Sequence, residues 1–403
     1  MTSSLTDGAA PDVVVVGAGV LGAAVAHGLA ASGRCSVLLI DRDHVGAGAS
    51  GRSSALVRIH YPNEPESRLA AYSLEVFRQF DERIGGESGY TPTGFLRIVG
   101  THDTERLEQN VAMLTRIGGE VSLLTPDEVH ELQPMFATTE MGGAAYEPHG
   151  GYADGAMTAS AFADAARRHG ARLAQGVSVT GVRVVSDRVA GVETTRGFVA
   201  AGTVVVAAGV WSSTLLADVG VDLGLRSMLI RVGLLDPPAE ARGHMTVIDN
   251  SLGTYFRPDA QGRTEVGLRY ALDVDADHDA RRVDDGLIVD VIEQLLPRVP
   301  AFARAGLVRG WGGVDSRSPD GAPILGPCAG IDGLHLATGA SGTGFKISPA
   351  VGATVAAGIL GDESPVDIHP FRPGRFDEGE PIFSETAYRP PAWRYASPDP
   401  EAA

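Results

Sequence analysis

The chain has almost no lysine: of its 33 basic side chains, Lys346 is the single lysine and the other 32 are arginine. It has only two cysteines, Cys35 and Cys328, too few for a disulfide framework or a cysteine-held metal. It lacks a basic excess as well. Fifty acidic residues leave a net charge of -17, so the positive footprint that nucleic-acid binding needs is missing; the acidity serves solubility. The longest apolar stretch, residues 13–26, is shorter than the ~18 residues of a membrane span and is interrupted by Gly17, Gly19 and Gly22. Residues 1–11 carry no basic-then-apolar signal for secretion. These absences lead us to expect a cytoplasmic protein with no nucleic acid, membrane or metal partner.

What is present begins with Val13-Val14-Val15-Val16, a β-branched run suited to a strand buried on both faces. Gly17-Ala18-Gly19-Val20-Leu21-Gly22 follows at once, then an alanine-rich, helix-prone stretch over residues 23–31. A second strand is predicted over residues 36–41. The G-x-G-x-x-G pattern in a strand–helix–strand setting is a dinucleotide signature. Gly17 permits the tight turn, Gly19 lets a pyrophosphate approach the backbone, and Gly22 lets the helix pack on the strand. The N-terminus of that helix, with its free N–H groups and dipole, favours phosphate, and Val20 and Leu21 join the candidate cofactor set. Asp41, about 20 residues on, can accept from ribose hydroxyls, and Arg42 beside it joins the candidate cofactor set. This pattern alone leaves NAD and FAD both open.

Further along, helices are predicted over residues 66–83, 104–117, 158–169 and 284–295, with a capping box at Thr125-Pro126-Asp127-Glu128. A hairpin is expected about Ser186-Asp187, and strands over 203–209 and 334–339. A final helix is expected to start at Ser348-Pro349, which would leave Lys346 in the glycine-rich loop before it. The segment beyond Asp362 is rich in proline and charge, with little core-forming pattern. At 403 residues, two domains sharing an interface are expected: an α/β domain built from both ends of the chain, and a strand-rich domain built from insertions.

A second glycine-rich loop, Gly46-Ala47-Gly48-Ala49-Ser50-Gly51-Arg52-Ser53-Ser54, follows the acid and can wrap an inner phosphate and a flavin edge. With this loop, the turn Ala207-Ala208-Gly209-Val210-Trp211, the stretch Ser318-Pro319-Asp320-Gly321 and the run Gly342-Thr343-Gly344-Phe345-Lys346, the chain resembles the D-amino acid oxidase superfamily of FAD-dependent enzymes. Monomeric sarcosine oxidase, glycine oxidase and the sarcosine oxidase β-subunit group are the nearest in kind. The resemblance spans residues 12–361. It implies an α/β fold: a discontinuous Rossmann-type FAD-binding domain of the glutathione-reductase kind, over residues 1–90, 147–222 and 305–365. A second, α+β substrate domain with an antiparallel sheet would cover residues 91–146 and 223–304, and residues 366–403 would form a tail. It also implies FAD contacts from Ser50, Gly51, Arg52, Ser53, Val179, Ala208, Gly209, Trp211 and the backbone of Gly342, Thr343, Gly344 and Phe345.

The same resemblance implies hydride transfer from an amine-bearing carbon to flavin N5, hydrolysis of the imine, and reduction of O2 to H2O2. Arg58 and Lys346 fall on the family's pair of substrate-carboxylate cations. Arginine can grip two oxygens at once, and lysine is not interchangeable with it. The cysteine that tethers flavin in some relatives falls at Gly313, and no histidine lies in residues 46–54, so non-covalent FAD is expected. The lysine tied to oxygen activation falls at Arg269, which keeps the charge but cannot release a proton. His60 is either a pocket residue or an ordinary loop histidine, and Tyr255 either a pocket tyrosine or a core aromatic. A dehydrogenase passing electrons to a partner, a 2-hydroxy acid oxidase and a flavoprotein without turnover remain the alternatives.

Overall fold

The computed structural model describes residues 9–268, 272–279, 283 and 285–389. The strand Val13–Val16 lies within a six-stranded sheet ordered Ile324–Pro327, Leu334–Thr338, Thr203–Val206, Val13–Val16, Val37–Ile40, Arg172–Ala174. All pairings are parallel except that of Ile324–Pro327 with Leu334–Thr338. A parallel strand covered on both faces must be apolar throughout, and Val13–Val16 is buried at every position. The helix Val20–Ala31 packs against Gly344–Leu360 and Gly155–Arg168. Two glycines let the first pair approach. A Cβ on Gly352 would lie 2.6 Å from Ala24 O, and one on Gly28 2.8 Å from Gly352 O.

The second large sheet runs Leu272–Asp273, Arg226–Asp236, Thr264–Leu268, Thr254–Pro258, Thr246–Asp249, Phe95–Gly100, Met141–Glu147, Ser122–Leu124. It is antiparallel but for the Thr246–Asp249 and Phe95–Gly100 pair. The long strand Gly306–Arg317 pairs along Arg226–Asp236. It therefore belongs to this second sheet, and the crossing back to the nucleotide-type sheet falls after Arg317 rather than at residue 305. A third, three-stranded sheet holds the hairpin Val179–Val185 and Arg188–Thr194. Its turn residues Ser186 and Asp187 sit at φ 50° and 58°, the left-handed pair of a tight hairpin turn. No described helix is long and apolar enough to cross a membrane.

Three expectations change. The last helix starts at Gly344, not at Ser348-Pro349, so Lys346 sits in its first turn. Proline inside a helix removes one N–H and leaves the carbonyl four residues earlier without its partner. Here Ser348 Oγ donates to that carbonyl, Phe345 O, at 2.8 Å, so the helix runs through. The helix expected over residues 66–83 divides at Gln79 into Glu64–Arg78 and Phe80–Arg83. The segment after Asp362 is packed: Phe371 and Arg375 are fully buried. Arg375 Nε and Nη2 donate to Asp320 Oδ2 and Oδ1 at 2.8 and 2.9 Å. A buried ion pair does this work, and hydropathy does not report it.

Candidate active site

A single cavity of about 1230 Å³ runs from the end of Val13–Val16 to the second large sheet. That exceeds the roughly 300–1,000 Å³ of a drug-sized ligand site. At one end Gly17 turns at φ 100°, where a Cβ would meet Ala207 O at 2.4 Å. Gly19, Val20 and Leu21 line the cavity at the helix start. The Asp41 carboxylate accepts from Ala18 N at 2.7 Å and Asp43 N at 2.8 Å, which fixes its orientation at the rim. Val179, Ala208 and Gly209 line the same end. Arg42 stacks 3.7 Å over the Trp211 ring. Asp277 accepts from Trp211 Nε1 at 2.8 Å and from Arg42 at 3.2 Å.

The loop after Asp41 forms the cavity's middle. Ser50 Oγ accepts from Val20 N at 2.9 Å, tying the loop to the helix start. Arg52 and Ser53 line the cavity. Gly313 faces it from the strand opposite, with Arg52 Cβ 3.1 Å from where its own Cβ would be. Neither Cys35 nor Cys328 is among the lining residues.

At the far end the strand Leu56–Val57 delivers Arg58, His60 and Tyr61 into the cavity. Arg58 is buried; its Nη1 donates to His60 O and its guanidinium lies 4.3 Å from the Tyr61 ring centre. Glu147 holds this loop by accepting from Ile59 N at 2.7 Å and His60 N at 3.0 Å. Burial pushes its carboxyl up to about 7, against those two bonds and the charge of Arg58. Lys346 arrives from the helix Gly344–Leu360, 6 % exposed, with Nζ 3.4 Å from Gly342 O. Burial, and then the Arg58 charge, push its ammonium well below the usual lysine range; Glu66 and Asp315 oppose that. Burial raises both of those carboxyls in turn. Burial and the charges of Arg97 and Arg58 keep His60 neutral. Tyr255 lies flat against Gly267, where any Cβ would fall 2.0 Å from its ring. Gly267 therefore makes room for Tyr255 to reach the cavity.

Arg58 and Lys346 thus enter one cavity, together with His60 and Tyr255. Gly342, Thr343, Gly344 and Phe345 line it beside Lys346. Gly22 and Gly51 do not line it. A Cβ on Gly22 would stand 1.9 Å from Gly17 O, and one on Gly51 2.6 Å from Gly46 O; both glycines pack the backbone of the turns that do. Arg269 lies outside the described residues. Glu66, Arg97, Glu147, Asp315 and Tyr388 were not singled out in the sequence. Each is a common polar residue type, and only tertiary packing shows that it is buried or faces the cavity.

Residues 12–357 match the family described as FAD dependent oxidoreductase. The sarcosine oxidase subunit beta of Arthrobacter sp is 29% identical, over 92% of this chain and 92% of its own. The mitochondrial sarcosine dehydrogenase of Homo sapiens is 28% identical over 91% of this chain, which spans only 41% of that protein's length. Among solved structures, the L-proline dehydrogenase from P. horikoshii has a TM-score of 0.85 at 26% identity, covering 92% of this chain and 99% of its own.

Proposed function

The chain belongs to the FAD dependent oxidoreductase family, and from that premise we propose that it oxidises a small amine bearing a carboxylate: an N-alkyl, cyclic or primary amino acid. The C–N bond becomes an imine, which water hydrolyses, and O2 takes the two electrons to give H2O2. The residues present fit the cofactor. The helix start at Val20 faces the cavity, and Gly48 and Gly209 leave open space where a side chain would stand. With glycine at 313 and no histidine in residues 46–54, FAD is held without a covalent link. When bound, FAD supplies the two-electron acceptor chemistry.

The observation that carries the reading is that Arg58 and Lys346, distant in sequence, open into the one cavity that the glycine turns at Gly17 and Gly19 also line. Arg58 has an Nε without a partner among the described residues. It grips the substrate carboxylate, and Lys346 holds the second oxygen. Burial strengthens both contacts, because the local dielectric is low. Burial and the Arg58 charge work against the Lys346 proton, and Glu66 and Asp315 favour keeping it. The relatives' names, which include an oxidase subunit and two dehydrogenases, support an amine or amino acid as substrate.

The test is anaerobic mixing of the flavin-loaded protein with a panel of N-methyl, cyclic and primary amino acids and one 2-hydroxy acid. The yellow colour should bleach with an amino acid. Bleaching by none of the amines overturns the reading. A second reading, electron transfer to a partner protein instead of O2, is favoured by arginine at position 269. Stoichiometric peroxide under air supports the oxidase; flavin that stays reduced in air supports the dehydrogenase.

A further inference from the structure

We propose that Tyr388 determines substrate specificity, forming the outer wall of the substrate pocket and orienting His60. This rests on the amine-oxidation reading, because it assigns a size limit to that substrate. Among the described residues that line the cavity, Ala387 and Tyr388 are the only ones beyond Lys346. They reach it on a segment that crosses from the nucleotide side. Ile382 N donates to Asp320 Oδ2 at 2.9 Å. Ser384 Oγ and Thr386 Oγ1 both donate to Pro62 O, just past the Arg58 loop, the latter at 2.9 Å. Thr386 O accepts from Asn110 Nδ2 at 3.1 Å, and Arg389 N donates to Asp103 Oδ2 at 2.9 Å. Anchors on both sides of Tyr388 hold its backbone, so the ring has little freedom to swing away.

The ring packs on Val99, Leu107 and Ala145, with the Arg97 guanidinium 5.1 Å from its centre. Its hydroxyl lies 2.6 Å from His60 Nε2. His60 is 1 % exposed, and its Nδ1 has no partner among the described residues. The phenol is therefore the side-chain contact that sets the angle of this imidazole. A rigid aromatic wall at the end of the cavity opposite the glycine cradle, next to the carboxylate-binding arginine, is where a substrate's N-substituent or side chain would be measured. A packed apolar wall discriminates by about 10–200-fold per methylene.

The experiment is anaerobic stopped-flow reduction of the flavin by a series of N-alkyl glycines of increasing chain length, for wild type, Tyr388→Ala, Tyr388→Phe and Tyr388→Trp. Bound flavin and melting temperature are recorded for each. Tyr388→Ala should raise Kd for the shortest substrate by roughly 10–100-fold, leave the limiting rate little changed, and move the optimum to longer chains. Tyr388→Trp should move it to shorter ones, and Tyr388→Phe should restore the wild-type order. Should Tyr388→Ala fail to hold flavin, the opposed behaviour of the Phe and Trp variants decides the question. A wild type that bleaches with variants that keep its order of preference overturns this inference alone. A wild type that no amine bleaches overturns the function beneath it.

Discussion

Lys346 was legible because it stands alone in an arginine-only chain, and Arg58 because its neighbours form a motif. Their setting was not legible, since a carboxylate's burial depends on which strand packs over it. Lys346→Met should keep flavin, because the glycine turns and the helix start remain. It should raise the substrate Kd by about 10–100-fold, the effect of losing a hydrogen bond to a charged group worth roughly 1.5–3 kcal/mol; unchanged binding would remove Lys346 from the carboxylate site. Glu147 makes a prediction in pH. Its folded carboxyl titrates at about 7 against an ordinary 4.5, so the folded state binds the extra proton between those values. Its contribution is fully present below 4.5 and is lost as pH rises through 7. The melting temperature of wild type minus that of Glu147→Gln should fall between pH 5 and 7.5. A difference that rises over that range contradicts the assignment.

Among the elements, the first βαβ unit was readable to within three residues because hydrophobic period and glycine position agree there. The helix Gly344–Leu360 was misplaced at its start because Pro349 reads as a helix beginning. What let the helix continue is a hydroxyl-to-carbonyl bond from Ser348, which no pattern announces. The glycines of this helix separate packing from propensity. A methyl at Gly352 would press on Ala24 O at 2.6 Å, whereas one at Gly358 meets nothing within 4 Å. Gly352→Ala should destabilise by roughly 1–3 kcal/mol through overpacking and weaken FAD retention by moving the helix Val20–Ala31. Gly358→Ala should stabilise by about 0.4–1 kcal/mol. Thermal melts of the two variants check this; equal shifts would mean that the helix contact does not control the fold.

For the whole molecule, the order of the two large sheets could not be read from the sequence. Residues 305–365 were expected in the first domain, yet the strand Gly306–Arg317 pairs with Arg226–Asp236. Nor could the path of residues 362–389 be read, since its anchors are polar. Burial works against the charge of Asp320, but Arg375 and the backbone N–H groups of Ile382 and Ala322 outweigh it and hold the carboxyl below its usual range. Removing one partner of a buried pair costs roughly 3–5 kcal/mol. Arg375→Ala should therefore release the segment, seen as new protease cleavage within residues 376–389 and a substrate preference shifted as in Tyr388→Ala. Cleavage unchanged from wild type would show that the pair does not hold the segment.

The cavity draws its lining from Val16 to Tyr388, and the sheet that holds Val13–Val16 is complete only once Leu334–Thr338 has paired with Thr203–Val206. On the ribosome, a nascent polypeptide has no complete binding site until Tyr388 has been made. Loading with the vitamin-derived cofactor must follow translation instead of guiding it.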